Sequence, residues 1–294
     1  MSSKTNSEEY LRIPPWLRVK LPTGNTFNNT AKLLADLNLN TVCQNAKCPN
    51  CWDCFSRKVA TFLIMGNNCT RNCAFCNIAA GRIDPLDPDE PRRVSEAVGR
   101  LDLKYTVITS VTRDDLPDGG AAHYAETIER IRHDHPGCMI EVLIPDFQGN
   151  LDALKAVINA GPDVINHNVE TSPDLYGTIR PQADYRQSLE LLERVKQLSS
   201  IHAKSGLMVG LGETDEQVYG VIDDLAGINC DIITIGQYMR PSKAHPAVKR
   251  YVEPAVFDEY AEYGRKLGVP HMFCAPLVRS SFNAAEAFEK LKEV

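Results

Sequence analysis

The chain has 294 residues, 43% hydrophobic and 24% charged, enough to bury a substantial core as one large domain or two smaller ones. Its 32 Lys and Arg against 38 Asp and Glu give a formal net charge of -6 with no run of five or six like charges, which argues against a nucleic-acid partner. No stretch approaches the roughly 18 uninterrupted apolar residues of a membrane span, and the start MSSKTNSEEYLRIPPWLRVK lacks the basic-then-apolar order of a secretory signal. A cytoplasmic protein with no membrane partner is therefore expected.

In chain order, the first unit is an N-terminal extension, residues 1–57, with two prolines in IPPW and its own cysteines but little apolar content to bury alone. It should wrap a larger body rather than fold independently. That body, residues 58–268, alternates short β-branched runs with longer amphipathic ones. Strands are predicted over 59–65, 105–111, 139–144, 164–166, 202–209 and 231–235, and helices over 94–102, 121–133, 151–160, 185–198, 215–226 and 257–267. Six βα units joined by right-handed crossovers must curl into a barrel or open into a doubly wound sheet. Polar and glycine-rich segments follow the strands (GNNCTRNC, TRDDLPDGG, PDFQGN, HNVETS, GLGETD, GQYMRPS), which marks the functional edge in either architecture. Residues 269–294 form a C-terminal extension.

Of ten cysteines, seven fall between positions 43 and 76. Such clustering in a chain able to hold itself together by burial points to metal rather than disulfides. Cys138, Cys230 and Cys274 adjoin apolar runs, where free cysteine packs as a small hydrophobe. Cys69, Cys73 and Cys76, spaced C-x3-C-x2-C, open the segment after the first body strand. A structural zinc site is normally closed by four protein ligands, whereas a cubane of four irons on three cysteines keeps one iron open for a ligand. Phe75, between the last two cysteines, would help to exclude water.

At these residues the chain resembles the radical S-adenosylmethionine enzymes. The resemblance implies a 4Fe-4S cluster on Cys69, Cys73 and Cys76 whose open iron binds S-adenosylmethionine and cleaves it to a hydrogen-abstracting radical. It also implies an α/β fold built as a partial (β/α)6 TIM-type barrel, with N-terminal and C-terminal extensions carrying auxiliary-cluster ligands.

The earlier stretch TVCQNAKCPNCWDCF gives Cys43-x4-Cys48-x5-Cys54, with Cys51 an extra thiol. Together with TSVTRDDLPDGGA, NHNVETSPDLYGTIRP, GLMVGLGETDEQV, DIITIGQYMRPS and PLVRSSFNA, in that order, it is similar to the lipoyl synthases from about Leu11 onward. In that family an Arg-Ser-Ser-Tyr motif supplies a serine ligand to a second 4Fe-4S cluster. Here Arg279, Ser280 and Ser281 match, one of the two serines being the ligand, and Phe282 replaces the tyrosine. Gln44 and Asn77 stand where acidic residues are common. The resemblance implies insertion of two sulfur atoms, drawn from a sacrificial auxiliary cluster, at C6 and C8 of an octanoyl-lysine. The partners it implies are an octanoylated lipoyl domain or glycine-cleavage H protein and an electron donor such as ferredoxin or flavodoxin. A monomer is expected. A biotin synthase-like enzyme, a methylthiotransferase and a noncatalytic iron–sulfur protein are the alternatives.

Candidate cofactor contacts are Phe75, Arg113, Asp114, Asn168, Glu170 and Arg180. Arg113 and Asp114 follow the second strand, with Gly119-Gly120 opening a helix, where a carboxylate-bearing ligand would lie. Asn166, His167, Asn168 and Glu170 crowd a strand end, equally suited to a structural hydrogen-bond network. Arg180 suits a carboxylate bidentately. The Gly210-Leu211-Gly212-Glu213 turn permits close backbone approach to a ligand, and Cys51 reads as a loop thiol.

Overall fold

The structure is a computed structural model that describes residues 11–18 and 26–281. Phe282 and the rest of the C-terminal extension beyond Ser281 lie outside the described residues. The extension before the barrel holds α1 (Thr26–Asp36), β1 (Asn40–Thr41), α2 (Val42–Asn45) and α3 (Cys51–Ser56). β2 (Thr61–Ile64) follows, then the two-residue strands β3 (Asn68–Cys69) and β4 (Ala79–Ala80), which pair with each other. Helices and strands then alternate: α4 (Glu90–Leu101), β5 (Tyr105–Ser110), α5 (Ala121–Asp134), β6 (Met139–Leu143), α6 (Leu151–Asn159) and β7 (Val164–Asn166). A short α7 (Tyr176–Ile179) precedes α8 (Tyr185–Leu198), β8 (His202–Val209), α9 (Asp215–Gly227), β9 (Ile232–Gln237), α10 (Pro254–Lys266) and β10 (His271–Cys274).

The main sheet runs β1-β2-β5-β6-β7-β8-β9-β10, every pair parallel except β1 with β2. Sequential order with right-handed crossovers puts the helices on one face and curls the sheet. Among the described residues the two outermost strands do not pair with each other, so the barrel is partial. All six expected strands and helices are present. α4 begins four residues before its expected start because Pro91 fits a first helical turn. Two features escaped the sequence reading. β10, only HMFC, is too short to carry a period of its own. The extension is also more ordered than its composition suggests: Phe27 of α1 stacks on Trp52 with ring centroids 4.1 Å apart, and Thr30 Oγ1 donates to the Phe55 carbonyl at 2.9 Å.

Alternation along parallel strands sends every second side chain inward. The register aligns the inward set in layers. At the amino ends, Tyr105, Met139, Val164, Ile232 and Phe273 pack into an apolar floor. Above it Lys204 Nζ donates to both oxygens of Glu141 at 2.9 and 2.8 Å, and the Asn166 amide and the Tyr105 hydroxyl donate to the same carboxylate at 3.0 and 2.6 Å. Glu141, Asn166 and Lys204 are buried. Above this layer the inward positions include the small residues Thr109, Gly206, Thr234 and Gly236, and a cavity opens. Among the described residues no helix is long and apolar enough to cross a membrane.

Removing one partner of a buried ion pair strands the other charge. Lys204→Met should therefore lower stability by about 3–5 kcal/mol in denaturant unfolding, and adding Glu141→Leu should restore a large part of the loss.

Candidate active site

The cavity, about 350 Å³, lies at the carboxyl ends of the strands. Cys43, Cys48 and Cys54 line it from the extension; Cys69, Cys73 and Cys76 from the segment after β2; Ser280 and Ser281 from the C-terminal segment. Phe75, Asn168, Glu170 and Arg180 line it too. Cys51, the first residue of α3, does not; it packs against the edge of the core. The thiols stand as two sets: the cysteines near enough to influence Cys43 are Cys54, Cys48 and Cys51, and those near Cys76 are Cys73 and Cys69. Among the described residues no three His, Cys, Asp or Glu side chains converge tightly enough for a single ion.

Each set is held by local geometry. The pairing of β1 with β2 delivers α2, whose first turn is capped by the Thr41 hydroxyl accepting from Gln44 N–H, and Cys48 N–H donates back to the Cys43 carbonyl at 3.1 Å. Asn50, buried between Cys48 and Cys51, donates from its amide to the Leu277 carbonyl at 2.7 Å, tying the extension to the serine-bearing segment. Asn77 donates to the Asn45 carbonyl at 2.7 Å, a bond that an ionised aspartate there could not make, and so joins the two cysteine segments. His245 bonds the Cys76 carbonyl through Nε2 at 3.1 Å and Ser242 Oγ through Nδ1 at 2.9 Å. Neither Asn50 nor His245 was singled out from the sequence; each works by reaching a backbone carbonyl far along the chain, which no local pattern reveals.

Burial pushes the Cys54 and Cys76 thiols up to about 12, with nearby cysteines adding to it, and raises Cys43 and Cys73 as well. Thiols in such surroundings stay protonated unless a cation takes the thiolate, so the donor chemistry fits a metal cluster. Arg180 fits an anionic ligand. Its guanidinium is buried, donates to the Asn168 carbonyl at 3.0 Å and the Tyr176 hydroxyl at 3.0 Å, and among the described residues meets no carboxylate at ion-pair distance. Its Nε–H has no partner, and neither does Asn168 Oδ1. Buried polar atoms left idle this way call for a ligand. Burial also raises the Glu170 carboxyl, against the pull of Arg180.

Several expected contacts are engaged elsewhere. Neither Arg113 nor Asp114 lines the cavity. Arg113 forks onto Asp115 at 2.8 Å, and Asp114 is held by Arg71 at 2.7 and 2.9 Å. The Gly210, Leu211 and Gly212 amides do not await a ligand: all three donate to the Glu213 carboxylate. Asn166 belongs to the layer beneath, and His167 spends both ring nitrogens on the Ile144 carbonyl and Ser188 Oγ. Burial holds His167 down at about 4, hence neutral. In the C-terminal segment, Ser280 Oγ accepts from the Asn168 amide at 2.7 Å.

Residues 63–225 match the radical SAM superfamily, and residues 2–48 match the N-terminal domain of lipoyl synthase of the radical SAM family. A lipoyl synthase of Oleidesulfovibrio alaskensis is 63% identical over 285 residues, 97% of this chain and 98% of that protein. One from Alkaliphilus metalliredigens is 53% identical, covering 96% and 98%. Among solved structures, methylornithine synthase superposes with a TM-score of 0.54 at 12% identity, covering 88% of this chain and 85% of that one. An FeFe-hydrogenase maturase of Carboxydothermus hydrogenoformans gives 0.57 at 13%, covering 79% and 65%. These two likenesses concern the fold alone.

A Cβ at Gly236 would stand 2.0 Å from the Val278 carbonyl oxygen. Gly236→Ala should push the serine-bearing segment off the barrel, costing about 1–3 kcal/mol in denaturant unfolding and exposing residues near 278 to limited proteolysis.

Proposed function

The chain belongs to the lipoyl synthase family of the radical S-adenosylmethionine superfamily, and on that premise we propose that it inserts two sulfur atoms, at C6 and C8, into an octanoyl group carried on a protein lysine. Cys69, Cys73 and Cys76 would hold one 4Fe-4S cluster, together with S-adenosylmethionine. Cys43, Cys48 and Cys54, with Ser280 or Ser281, hold the auxiliary cluster. When bound, the first cluster and its cofactor supply a hydrogen-abstracting radical and the second cluster supplies the sulfur. The observation that carries this reading is that both cysteine trios and both serines line one cavity at the strand ends.

The chain's own residues bind, orient and shield. Arg180 offers its idle Nε–H to the methionine carboxylate, and Glu170 and Asn168 beside it take the polar remainder of the cofactor. Phe75 covers the cluster loop. Leu63, Ile78, Met208 and Val278, also in the lining, give an unbranched acyl chain an apolar bed and keep water from the reacting carbon. The serine would offer a hard oxygen beside three soft thiolates, and that mismatch would suit a cluster meant to be dismantled. The substrate is a lipoyl domain or glycine-cleavage H protein bearing octanoyl-lysine, and electrons come from a ferredoxin or flavodoxin.

After anaerobic reconstitution, about eight irons per chain are expected as two four-iron cubanes, with 5′-deoxyadenosine and dithiolated product from an octanoyl-lysine peptide. Intact enzyme that releases only sulfur-free product would reject the assignment. Cys69→Ala should abolish cofactor cleavage. Cys54→Ala should keep some cleavage and lose sulfur transfer, whereas Cys51→Ala, outside the cavity, should keep both; loss of iron in Cys51→Ala would place a ligand wrongly.

A further inference from the structure

Between Gly66 and Ala80, the stretch that carries all three loop cysteines, one side chain is buried, and it is a cation. Arg71 does not line the cavity. It reaches instead between the segments that follow β5 and β6. Its Nε and Nη2 donate to the two oxygens of Asp114 at 2.7 and 2.9 Å, and its Nη1 and Nη2 to the two oxygens of Asp146, each at 2.7 Å. Two forked pairs on one guanidinium fix its position and its plane. Both partners are themselves anchored: the Asp146 carboxylate accepts from Gln148 N–H at 3.0 Å, and the Asp114 backbone N–H donates to Thr70 Oγ1 at 3.1 Å.

The clamped residue meets one sulfur through its backbone. Cys69 Sγ accepts from Arg71 N–H at 3.4 Å and from Thr112 N–H at 3.2 Å, and Thr70 closes the same corner by donating N–H and hydroxyl to the Thr112 carbonyl at 3.1 and 2.9 Å. Burial pushes the Asp146 carboxyl up, yet Arg71 outweighs it and holds that group at about 2; Asp114 is lowered by the same guanidinium. One cation and two carboxylates leave a net negative charge beside the loop. Donors to cluster sulfurs and net local charge are two of the levers that set an iron–sulfur reduction potential.

We propose that Arg71 is a positioning residue of the radical-generating site: its clamp on Asp114 and Asp146 fixes the Cys69 sulfur against two amide donors, and the three side chains together set the reduction potential of the cluster held there. The proposal rests on the reading of Cys69, Cys73 and Cys76 as cluster ligands. Asp114 thereby acts through Arg71 rather than by touching the cofactor.

The test uses the full chain, reconstituted without oxygen, as wild type, Arg71→Lys and Asp114→Asn. An EPR-monitored redox titration follows the cluster whose reduced signal changes on adding S-adenosylmethionine. Arg71→Lys keeps the charge but cannot fork onto two carboxylates; it should alter that signal and slow 5′-deoxyadenosine formation roughly 10–100-fold, as outer partners of metal ligands commonly do. Asp114→Asn removes one negative charge at nearly unchanged shape and should move the midpoint potential to a more positive value. If wild type shows no cluster that responds to S-adenosylmethionine, the ligand reading itself fails. If wild type responds and both variants keep its spectrum and potential, the proposal is overturned, even where Arg71→Lys is slower, because that loss is then merely structural. Should Arg71→Lys not fold by circular dichroism, Asp114→Asn decides alone: an unchanged potential and spectrum overturns the proposal.

Discussion

Alternate residues of seven parallel strands face one interior, and the segments that follow those strands gather at one end. Everything else follows from that constraint. The interior cannot stay empty, so its lower part is filled by an apolar floor and the Glu141–Lys204 layer. Small residues on β8 and β9, Gly206, Thr234 and Gly236, leave space for the cavity at the carboxyl ends of the strands. The ion pair suits this depth because the long lysine stem spans from β8 to β6, and Asn166 and Tyr105 complete the satisfaction of the carboxylate.

The mouth is assembled from pieces remote in sequence. A β-edge connection brings in α2 and α3; the Asn50 amide and the close approach of Gly236 to Val278 seat the serine segment; Asn77 and His245 join neighbouring segments to the loop of Cys69, Cys73 and Cys76. Nearly all these ties end on backbone carbonyls. Irregular segments have carbonyls that no ladder satisfies, and a side-chain amide or imidazole both satisfies the group and fixes the segment.

Buried cations divide into two kinds. Lys204, Arg71 and Arg113 are matched by carboxylates and brace the scaffold. Arg180 faces the cavity with an idle N–H and no such match among the described residues. A guanidinium in that state lacks the charge partner that each of the braces has. Arg71 lies between three-cysteine chemistry and scaffold, and so belongs to both.

The sequence by itself determined the α/β alternation, the position of all six βα units, the C-x3-C-x2-C and C-x4-C-x5-C spacings and the family they resemble, because period and spacing are local properties of the chain. Cys51, read from the sequence as a loop thiol, instead opens α3 and does not line the cavity. Composition understated the extension, since the Phe27–Trp52 stack and the seat for Phe55 exist only once α1 and α3 meet. Arg113, Asp114 and the Gly210–Gly212 amides looked available because their polarity was visible while their partners were not. Whether a charged side chain is a ligand or a brace depends on what stands opposite it, and only folding brings Asp146 to Arg71 and Ser280 to Asn168 while leaving Arg180, among the described residues, with no carboxylate at ion-pair distance.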